Sequence, residues 1–292
     1  MVDQKQTESP SESSMTAGPC LVCGHVGFSS YLDILLKCPN CGFVTARPDS
    51  SIDVLSLYQS DYFTGAEYLD YLADEALHRK NFHARLSRLL RRRSSGRLLE
   101  IGSAYGFFLD LAKQYFEVVG YEVNIEAAQY ARQTYGVDVR TDDFLQADIS
   151  GPFDVTIMWD VIEHLERPDL FVKRIAELSG PGALMYVTTS DIGSFVARHR
   201  GPKWRMIHPP SHLHYFDRST LARLLADYGF RVIETQTVGT ARSLRQILYS
   251  ILVLRMKMPG LYHKVKCLIR PGWGLTVNTF DIMLVTAEKR GC

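Results

Sequence analysis

Four cysteines lie close together near the start of the chain, in the segments CLVC and CPNC: Cys20, Cys23, Cys38 and Cys41. A glycine follows each pair, which lets the backbone turn tightly and direct its amides toward thiolate sulfurs. Two such turns can supply four thiolates to a tetrahedral zinc ion. Since four protein ligands leave no open coordination position, we predict a structural zinc ribbon over residues 19–48. Two disulfides are the alternative, which a reducing compartment disfavours.

A carboxylate and two glycines follow a short apolar strand in the segment LLEIGSAYG, which contains Glu100, Gly102 and Gly106. Missing Cβ atoms let a ligand approach the backbone closely, and a helix N-terminus offers free amides. A carboxylate repels phosphate, and the segment lacks the G-x-G-x-x-G fingerprint of dinucleotide sites. It therefore predicts a cationic ligand that carries an amine.

Further acidic residues follow the next strands. Glu122 ends the second strand, where a carboxylate typically accepts hydrogen bonds from ribose hydroxyls. Asp143 and Phe144 follow the third strand, where a carboxylate can accept from an adenine amino group and an aromatic ring can flank the base. Asp142 competes with Asp143 for this role.

An alternation of strands and helices must position these residues. We predict a parallel, doubly wound α/β sheet with helices on both faces. Its strands are predicted at 97–101, 118–123, 137–141, 153–159, 183–189, 230–238 and 280–288.

Composition bounds the remaining organisation. The 292 residues are 46% hydrophobic and carry a net charge of +1, so global charge does not favour a polyanion as partner. No apolar run approaches the roughly 20 residues of a membrane span, and no export signal is evident, so we expect a cytoplasmic protein. The predicted units are a disordered tail (1–18), the ribbon (19–48), a helical lid or linker (49–95) and the α/β domain (96–292), which contains a basic apolar insertion (241–275).

Three segments together resemble class I S-adenosylmethionine-dependent methyltransferases, and most closely the branch of ubiquinone-type O-methyltransferases and sugar methyltransferases: LLEIGSAYG, YEVN and FDVTIMWDVIEHLERP. The resemblance covers roughly residues 60–290. It implies a Rossmann-like sheet of seven strands in the order 3-2-1-4-5-7-6, with the last strand antiparallel. The cofactor-binding residues that it implies are Glu100, Gly102, Ser103, Gly106, Glu122, Val123, Trp159 and Asp160. Ala104 departs from the family pattern, which usually has a second glycine there.

Histidines are the predicted catalytic residues, because a histidine can remove a proton near neutral pH. His164 follows the fourth strand, and His212 and His214 lie in the loop WRMIHPPSHLHYF. Packing or helix capping is the alternative for His164, and packing within the loop is the alternative for His212 and His214. The spacing of His212 and His214 also fits a metal, but no carboxylate stands at ligand spacing in the sequence, so we do not predict one.

Two further segments have alternative interpretations. The aromatic residues of LYQSDYFTGAEYLDYL are either core or, in family members, a lid over the cofactor, in which case Tyr62 is the predicted contact. The segment 241–275 holds seven basic residues and no acidic one, and either contacts lipid headgroups as a peripheral membrane segment or is a helical cap with solvated charges.

The predicted function is transfer of a methyl group from S-adenosylmethionine to a small-molecule acceptor, with structural zinc in the ribbon. The acceptor atom (oxygen, nitrogen or carbon) and the oligomeric state stay open. The alternative is a zinc-ribbon nucleic-acid-binding protein or RNA-modifying methyltransferase. Residues 19–48 carry only Lys37 and Arg47 against Asp33, which is a poor footprint for phosphate. A nicotinamide-dependent oxidoreductase is a third candidate, which Glu100 disfavours.

Overall fold

The computed structural model describes residues 18–48, 71–270 and 272–291. The predicted N-terminal tail, apart from Gly18, and the predicted lid residue Tyr62 lie outside these ranges. In chain order the helices and strands are β1 (Ser29–Tyr31), β2 (Leu35–Lys37), β3 (Val44–Ala46), α1 (Glu75–Leu90), β4 (Arg97–Ile101), α2 (Phe107–Ala112), β5 (Glu117–Tyr121), α3 (Ile125–Tyr135), β6 (Asp138–Arg140), β7 (Phe153–Trp159), α4 (Pro168–Glu177), β8 (Ser179–Ser190), α5 (Phe195–Arg200), β9 (His214–Tyr215), α6 (Arg218–Asp227), β10 (Phe230–Thr237), β11 (Thr240–Ser243), α7 (Leu244–Tyr249), α8 (Pro259–Val265), β12 (Gly274–Val277) and β13 (Ile282–Lys289).

Seven strands form the main sheet in the order β6-β5-β4-β7-β8-β13-β10. Numbered within the domain this is 3-2-1-4-5-7-6. Strands β5, β4, β7 and β8 pair in parallel, whereas β13 runs antiparallel to both of its neighbours. The predicted fold class, strand order and antiparallel last strand are confirmed.

The central strands are apolar on both faces. Leu98 and Leu99 of β4 and Val155 and Ile157 of β7 are all fully buried. Strands of this kind read as continuous apolar runs because helices cover both sides of a parallel sheet. This pattern is what made the central strands predictable to within a residue or two.

The cysteine-rich N-terminal segment packs directly on the α/β domain. Its three strands continue into β9, so that a second sheet has the order β1-β2-β3-β9. Cys38 and Phe43 share a buried apolar cluster with Phe216 and Leu221 of the domain. The predicted ribbon is therefore joined to the domain by a common sheet and a common core.

The predicted basic insertion begins and ends in a small separate sheet, in which β11 pairs antiparallel with β12. Helices α7 and α8 lie between these strands. Asn81 of α1 holds this unit to the domain, because its side chain donates to the carbonyl of Ala241 at 3.2 Å and accepts from the amide of Ala241 at 2.7 Å. Within the described ranges, no helix has the length and apolar character needed to cross a bilayer.

Candidate functional site

The bend after β4 requires left-handed backbone conformations. Gly102 and Gly106 have φ of +72° and +77°, and a Cβ at these positions would lie 2.5 Å from Val161 and 2.7 Å from Ala131, respectively. Ala104, where the family usually has glycine, also has a positive φ of 46°. The backbone therefore follows the course that the glycines predicted, and the alanine adopts it at some steric cost.

Glu122 lies directly beneath this bend. One oxygen of its carboxylate accepts from the amide of Ala104 at 2.7 Å, and the other accepts from the amide of Asn124 at 2.8 Å. Its side chain is buried, which raises its pKa, while these hydrogen bonds act in the opposite direction. Each carboxylate oxygen keeps further acceptor capacity, so Glu122 can hold the bend and still bind hydroxyl donors.

Glu100 is 2% exposed, and within the described residues its Oε2 atom has no hydrogen-bond partner. Burial, and next the nearby charge of Glu122, raise the pKa of Glu100 well above its usual value. A cation bound beside these two carboxylates would favour their ionised forms. This arrangement fits the cationic ligand that the sequence predicted.

Arg85 of α1 is a site residue that sequence reasoning missed. Its guanidinium lies 3.3 Å from the carboxylate of Asp160 and 4.8 Å from the ring centre of Trp159, and the residue is only 8% exposed. The available signal was its position on the apolar stripe of α1, between Phe82 and Leu89 at helical spacing. A buried arginine at the carboxyl end of β7 gives the site one cation that can bind a carboxylate group.

Asp160 ends β7 in a left-handed conformation, with φ of +56°. Its amide donates to the carbonyl of Thr188 at 3.0 Å, which fixes this conformation at the junction of β7 and β8. Strained residues of this kind concentrate at functional sites. Trp159 is buried next to it, and its Nε1 atom has no partner within the described residues. The structure thus places both predicted residues at the same sheet edge as Glu100.

The residues predicted to contact adenine differ in their exposure to solvent. Val123 is 44% exposed beside Glu122 and is available to a ligand. Asp143 is exposed, and its carboxylate accepts from the amide of Leu145 at 3.0 Å and from the side chain of Gln146 at 2.8 Å. Phe144 instead lies in the core, with its ring centre 5.1 Å from that of Tyr121. Packing explains Phe144 better than the predicted contact with a base.

His164 and His212 come together, with ring centres 4.7 Å apart. Nδ1 of His164 lies 2.7 Å from the carbonyl oxygen of Ser211. Burial lowers the pKa of His164 to about 4 and that of His212 to about 2. Both rings are therefore neutral near pH 7, and they are weaker bases than the sequence prediction assumed.

A carboxylate side chain, that of Glu163, lies close to these two histidines. Single ligand atoms of Glu163, His164 and His212 lie within 4.8 Å of one another, and we call these three residues the Glu–His cluster. Burial, and next the charge of Asp160, raise the pKa of Glu163 to about 8. In the sequence no carboxylate stands at ligand spacing from the loop histidines, and Glu163 approaches them instead from a different loop.

His214 lies apart from the Glu–His cluster, in β9. Its Nδ1 atom is 3.0 Å from the hydroxyl of Thr45 in the ribbon, and its Nε2 atom is 3.3 Å from the carbonyl of Glu166. The residue is 6% exposed, and burial lowers its pKa to about 4. These contacts favour the alternative of packing, here between ribbon and domain, over the predicted contact with an acceptor.

The four cysteines form a second group of candidate metal ligands. All four sulfurs lie within 4.8 Å of one another, and the pairs Cys20–Cys41 and Cys23–Cys38 are each 3.6 Å apart. Tetrahedral zinc with bonds of about 2.3 Å requires sulfurs about 3.8 Å apart. The thiols are free rather than joined in disulfides, so the donor set fits zinc.

Comparison with known proteins identifies the class. The methyltransferase-domain family matches residues 72–235, more than half of the chain, and the chain belongs to this family. The prediction of a class I methyltransferase is confirmed by this match and by the strand order.

Among curated relatives, the ubiquinone biosynthesis O-methyltransferase of Caulobacter vibrioides is 35% identical over 100 residues, which are 32% of this chain and 40% of that protein. The protein of the same name from Azorhizobium caulinodans is 31% identical over 156 residues, 49% of this chain and 60% of that protein. The chain thus spans about two fifths to three fifths of the length of these relatives.

Solved structures share the fold. An S-adenosylmethionine-dependent methyltransferase from Archaeoglobus fulgidus is 19% identical with a TM-score of 0.51, over 75% of this chain and 99% of that chain. The magnesium protoporphyrin IX methyltransferase of Synechocystis, solved with bound S-adenosylhomocysteine, is 14% identical with a TM-score of 0.50, over 81% of this chain and the whole of that chain.

Proposed function

We propose that this chain transfers a methyl group from S-adenosylmethionine to a small-molecule acceptor. The observation that carries the proposal is the buried pair Glu100 and Glu122 beside a bend whose glycines leave no room for Cβ atoms. The pair favours a ligand that is positively charged and bears hydroxyl groups. S-adenosylmethionine has both properties, and when bound it supplies an activated methyl group on a sulfonium centre.

The chain's own residues bind and orient this ligand. Glu122 accepts from ribose hydroxyls while it holds the amide of Ala104. Val123 packs against the adenine. Glu100 faces the ammonium end of the ligand. Arg85 binds its carboxylate, since the single contact with Asp160 uses only one nitrogen of a guanidinium that has five N–H donors. Trp159 covers the same end with its ring and excludes water.

Two observations support a small molecule as acceptor over a nucleic acid. The curated relatives are named for ubiquinone biosynthesis. In addition, the two basic residues of the ribbon are occupied locally: Arg47 donates to the hydroxyl of Ser30 at 2.7 Å, and Lys37 lies over the ring of Tyr31. Few charges there remain for phosphate contacts.

We also propose that the four cysteines bind one structural zinc ion. The distances between their sulfurs and the chemistry of four thiolates support this. Zinc would hold the ribbon in the shape that presents β3 to β9, and so would stabilise the loop that carries His212.

For the insertion 241–275 we propose contact with an anionic lipid surface. Several of its large apolar side chains are at least 40% exposed, which are Ile251, Met256, Met258, Leu261, Leu268, Trp273 and Leu275. Basic residues are interspersed among them, and charge complementarity therefore selects an anionic bilayer. Cosedimentation with phosphatidylglycerol vesicles, and its loss in Leu268→Glu, would support this. Equal binding to phosphatidylcholine vesicles, or none to either, would refute it.

Calorimetric titration tests the central proposal. The purified chain should bind one S-adenosylmethionine, and it should not bind NADH. Incubation with methyl-labelled cofactor and a cell extract should then place the label on a small metabolite. Label recovered in RNA would favour the alternative function, and absence of cofactor binding would exclude methyl transfer.

A further inference from the structure

The Glu–His cluster is assembled from two separate loops. Glu163 and His164 follow β7, whereas His212 precedes β9. The main chain holds the loops together, because the carbonyl of Glu163 accepts from the amides of Leu213 at 2.9 Å and His214 at 3.0 Å. These main-chain hydrogen bonds hold the two loops side by side, and the three side chains meet where the loops join.

Two polar atoms of the cluster are buried without a partner. Within the described residues, neither Oε2 of Glu163 nor Nδ1 of His212 has a hydrogen-bond partner. The two residues are only 1% and 4% exposed, respectively. A buried polar atom without a hydrogen-bond partner is unfavourable, so a ligand that takes up both atoms would stabilise the folded chain.

His164 has the orientation that is common for a metal ligand. A carbonyl oxygen can only accept, so Nδ1 of His164 must donate its proton to the carbonyl of Ser211. The lone pair then lies on Nε2. Metal-binding histidines generally donate their second nitrogen to a carbonyl or carboxylate in this way.

We propose that Glu163, His164 and His212 bind one divalent first-row transition-metal ion. Two imidazoles and one carboxylate form a donor set typical of zinc, manganese or iron(II) sites that keep open coordination positions. The site differs from the cysteine cluster in both ligands and location. Other groups of three ligands with this spacing are absent from the part of the chain that the structure describes, apart from those cysteines.

The cluster also lies next to the proposed methyl-transfer site, because Asp160 at the end of β7 acts electrostatically on both Glu163 and His164. An open coordination position there suits an oxygen of the acceptor, since a divalent cation lowers the pKa of a bound hydroxyl. This role in acceptor binding rests on the proposed function, whereas metal binding itself does not.

Manganese is the appropriate probe, since Mn²⁺ prefers nitrogen and oxygen ligands and competes poorly for thiolates. The full chain with its cysteine site loaded with zinc is titrated with MnCl₂, and free Mn²⁺ is followed by electron paramagnetic resonance. We expect one Mn²⁺ per chain. Glu163→Gln and His212→Ala should each weaken binding at least about tenfold. Glu177→Gln and His199→Ala, at exposed positions, serve as matched controls and should leave binding unchanged.

Two results would overturn the proposal: a wild-type chain that takes up no Mn²⁺, Fe²⁺ or Zn²⁺ beyond the cysteine site, or Glu163→Gln and His212→Ala variants that bind as well as wild type. Circular dichroism checks that the variants fold, and His164→Gln replaces either one that does not. Titration with S-adenosylmethionine on the same samples keeps the two questions separate. Metal uptake without cofactor binding would leave the metal site standing and refute the methyl-transfer function.

Discussion

The cofactor edge and the histidine side of this molecule are built in contrasting ways. At the cofactor edge, Glu100, Gly102 and Glu122 lie in or directly after the neighbouring strands β4 and β5, which one short helix joins. On the histidine side, Glu163 and His212 meet across a long stretch of chain, and the ribbon supports their loops through β3 and β9. The first arrangement depends on local geometry, and the second depends on how distant segments pack.

The largest expected effect comes from removing the support of the histidine side. Cys38→Ser should release the zinc ion and lower the free energy of unfolding by more than about 3 kcal/mol, because metal binding contributes directly to folding. Metal analysis and thermal unfolding measure both. The exposed Cys267, changed to serine, is the matched control and should alter neither. A Cys38→Ser chain that retains zinc would contradict the proposed ribbon.

An acid-dependent loss of stability is expected from His78 of α1, whose ring lies 6.2 Å from that of Phe107 at the start of α2. His78 stacks on Tyr71 with ring centres 3.9 Å apart, and burial, and next the charge of Arg85, lower its pKa to about 4. Because the unfolded state, with a histidine pKa of about 6.5, binds the proton more readily, stability is full above about pH 6.5 and falls as the pH drops toward 4.

The pH-dependent contribution of His78 to the free energy of unfolding is at most about 3 kcal/mol. The His78→Phe variant keeps the stacking and should lose that much less stability than wild type between pH 7 and pH 4. Urea unfolding at both pH values measures the difference. Equal losses in the two proteins would show that His78 is not the responsible group.

The cofactor edge itself is tested by Glu122→Gln. This change removes charge-assisted hydrogen bonds, so S-adenosylmethionine should bind about 10- to 100-fold more weakly, or about 1–3 kcal/mol. Isothermal titration calorimetry measures the affinity. Glu126→Gln, exposed in the first turn of α3, should bind as wild type does. Unchanged affinity in Glu122→Gln would remove the ribose role from this residue.

The smallest expected effect concerns the junction between ribbon and domain. The hydroxyl of Thr45 donates to the carbonyl of Leu213 at 3.1 Å and lies 3.0 Å from Nδ1 of His214. Thr45→Val should lower stability by about 1 kcal/mol, while Thr141→Val at an exposed position should not. Faster amide hydrogen exchange in β9 of the Thr45→Val variant would show that the junction holds the histidine loop. No change there would mean that the apolar contacts alone hold it.

Prediction from the sequence succeeded where the residues that form a feature are close together in the chain. The apolar strands, the glycine bend and the acidic residue that follows β5 are each predictable from local pattern and backbone sterics, and the structure has them at the expected places. Prediction was incomplete for Arg85, since the periodicity of α1 shows a charge on an apolar face but not what the charge meets. It also gave Phe144 a role at a ligand, whereas the ring packs in the core.

By itself, then, the sequence determined the class of fold, the cysteine set and the acidic edge, because strand periodicity and ligand spacing are properties of neighbouring residues. Only the tertiary structure decided that His214 joins ribbon to domain and that Glu163 meets His164 and His212. The reason is physical. Those contacts are set by sheet pairing and core packing between segments far apart in the chain, and a local sequence pattern does not predict which distant residues will be in contact.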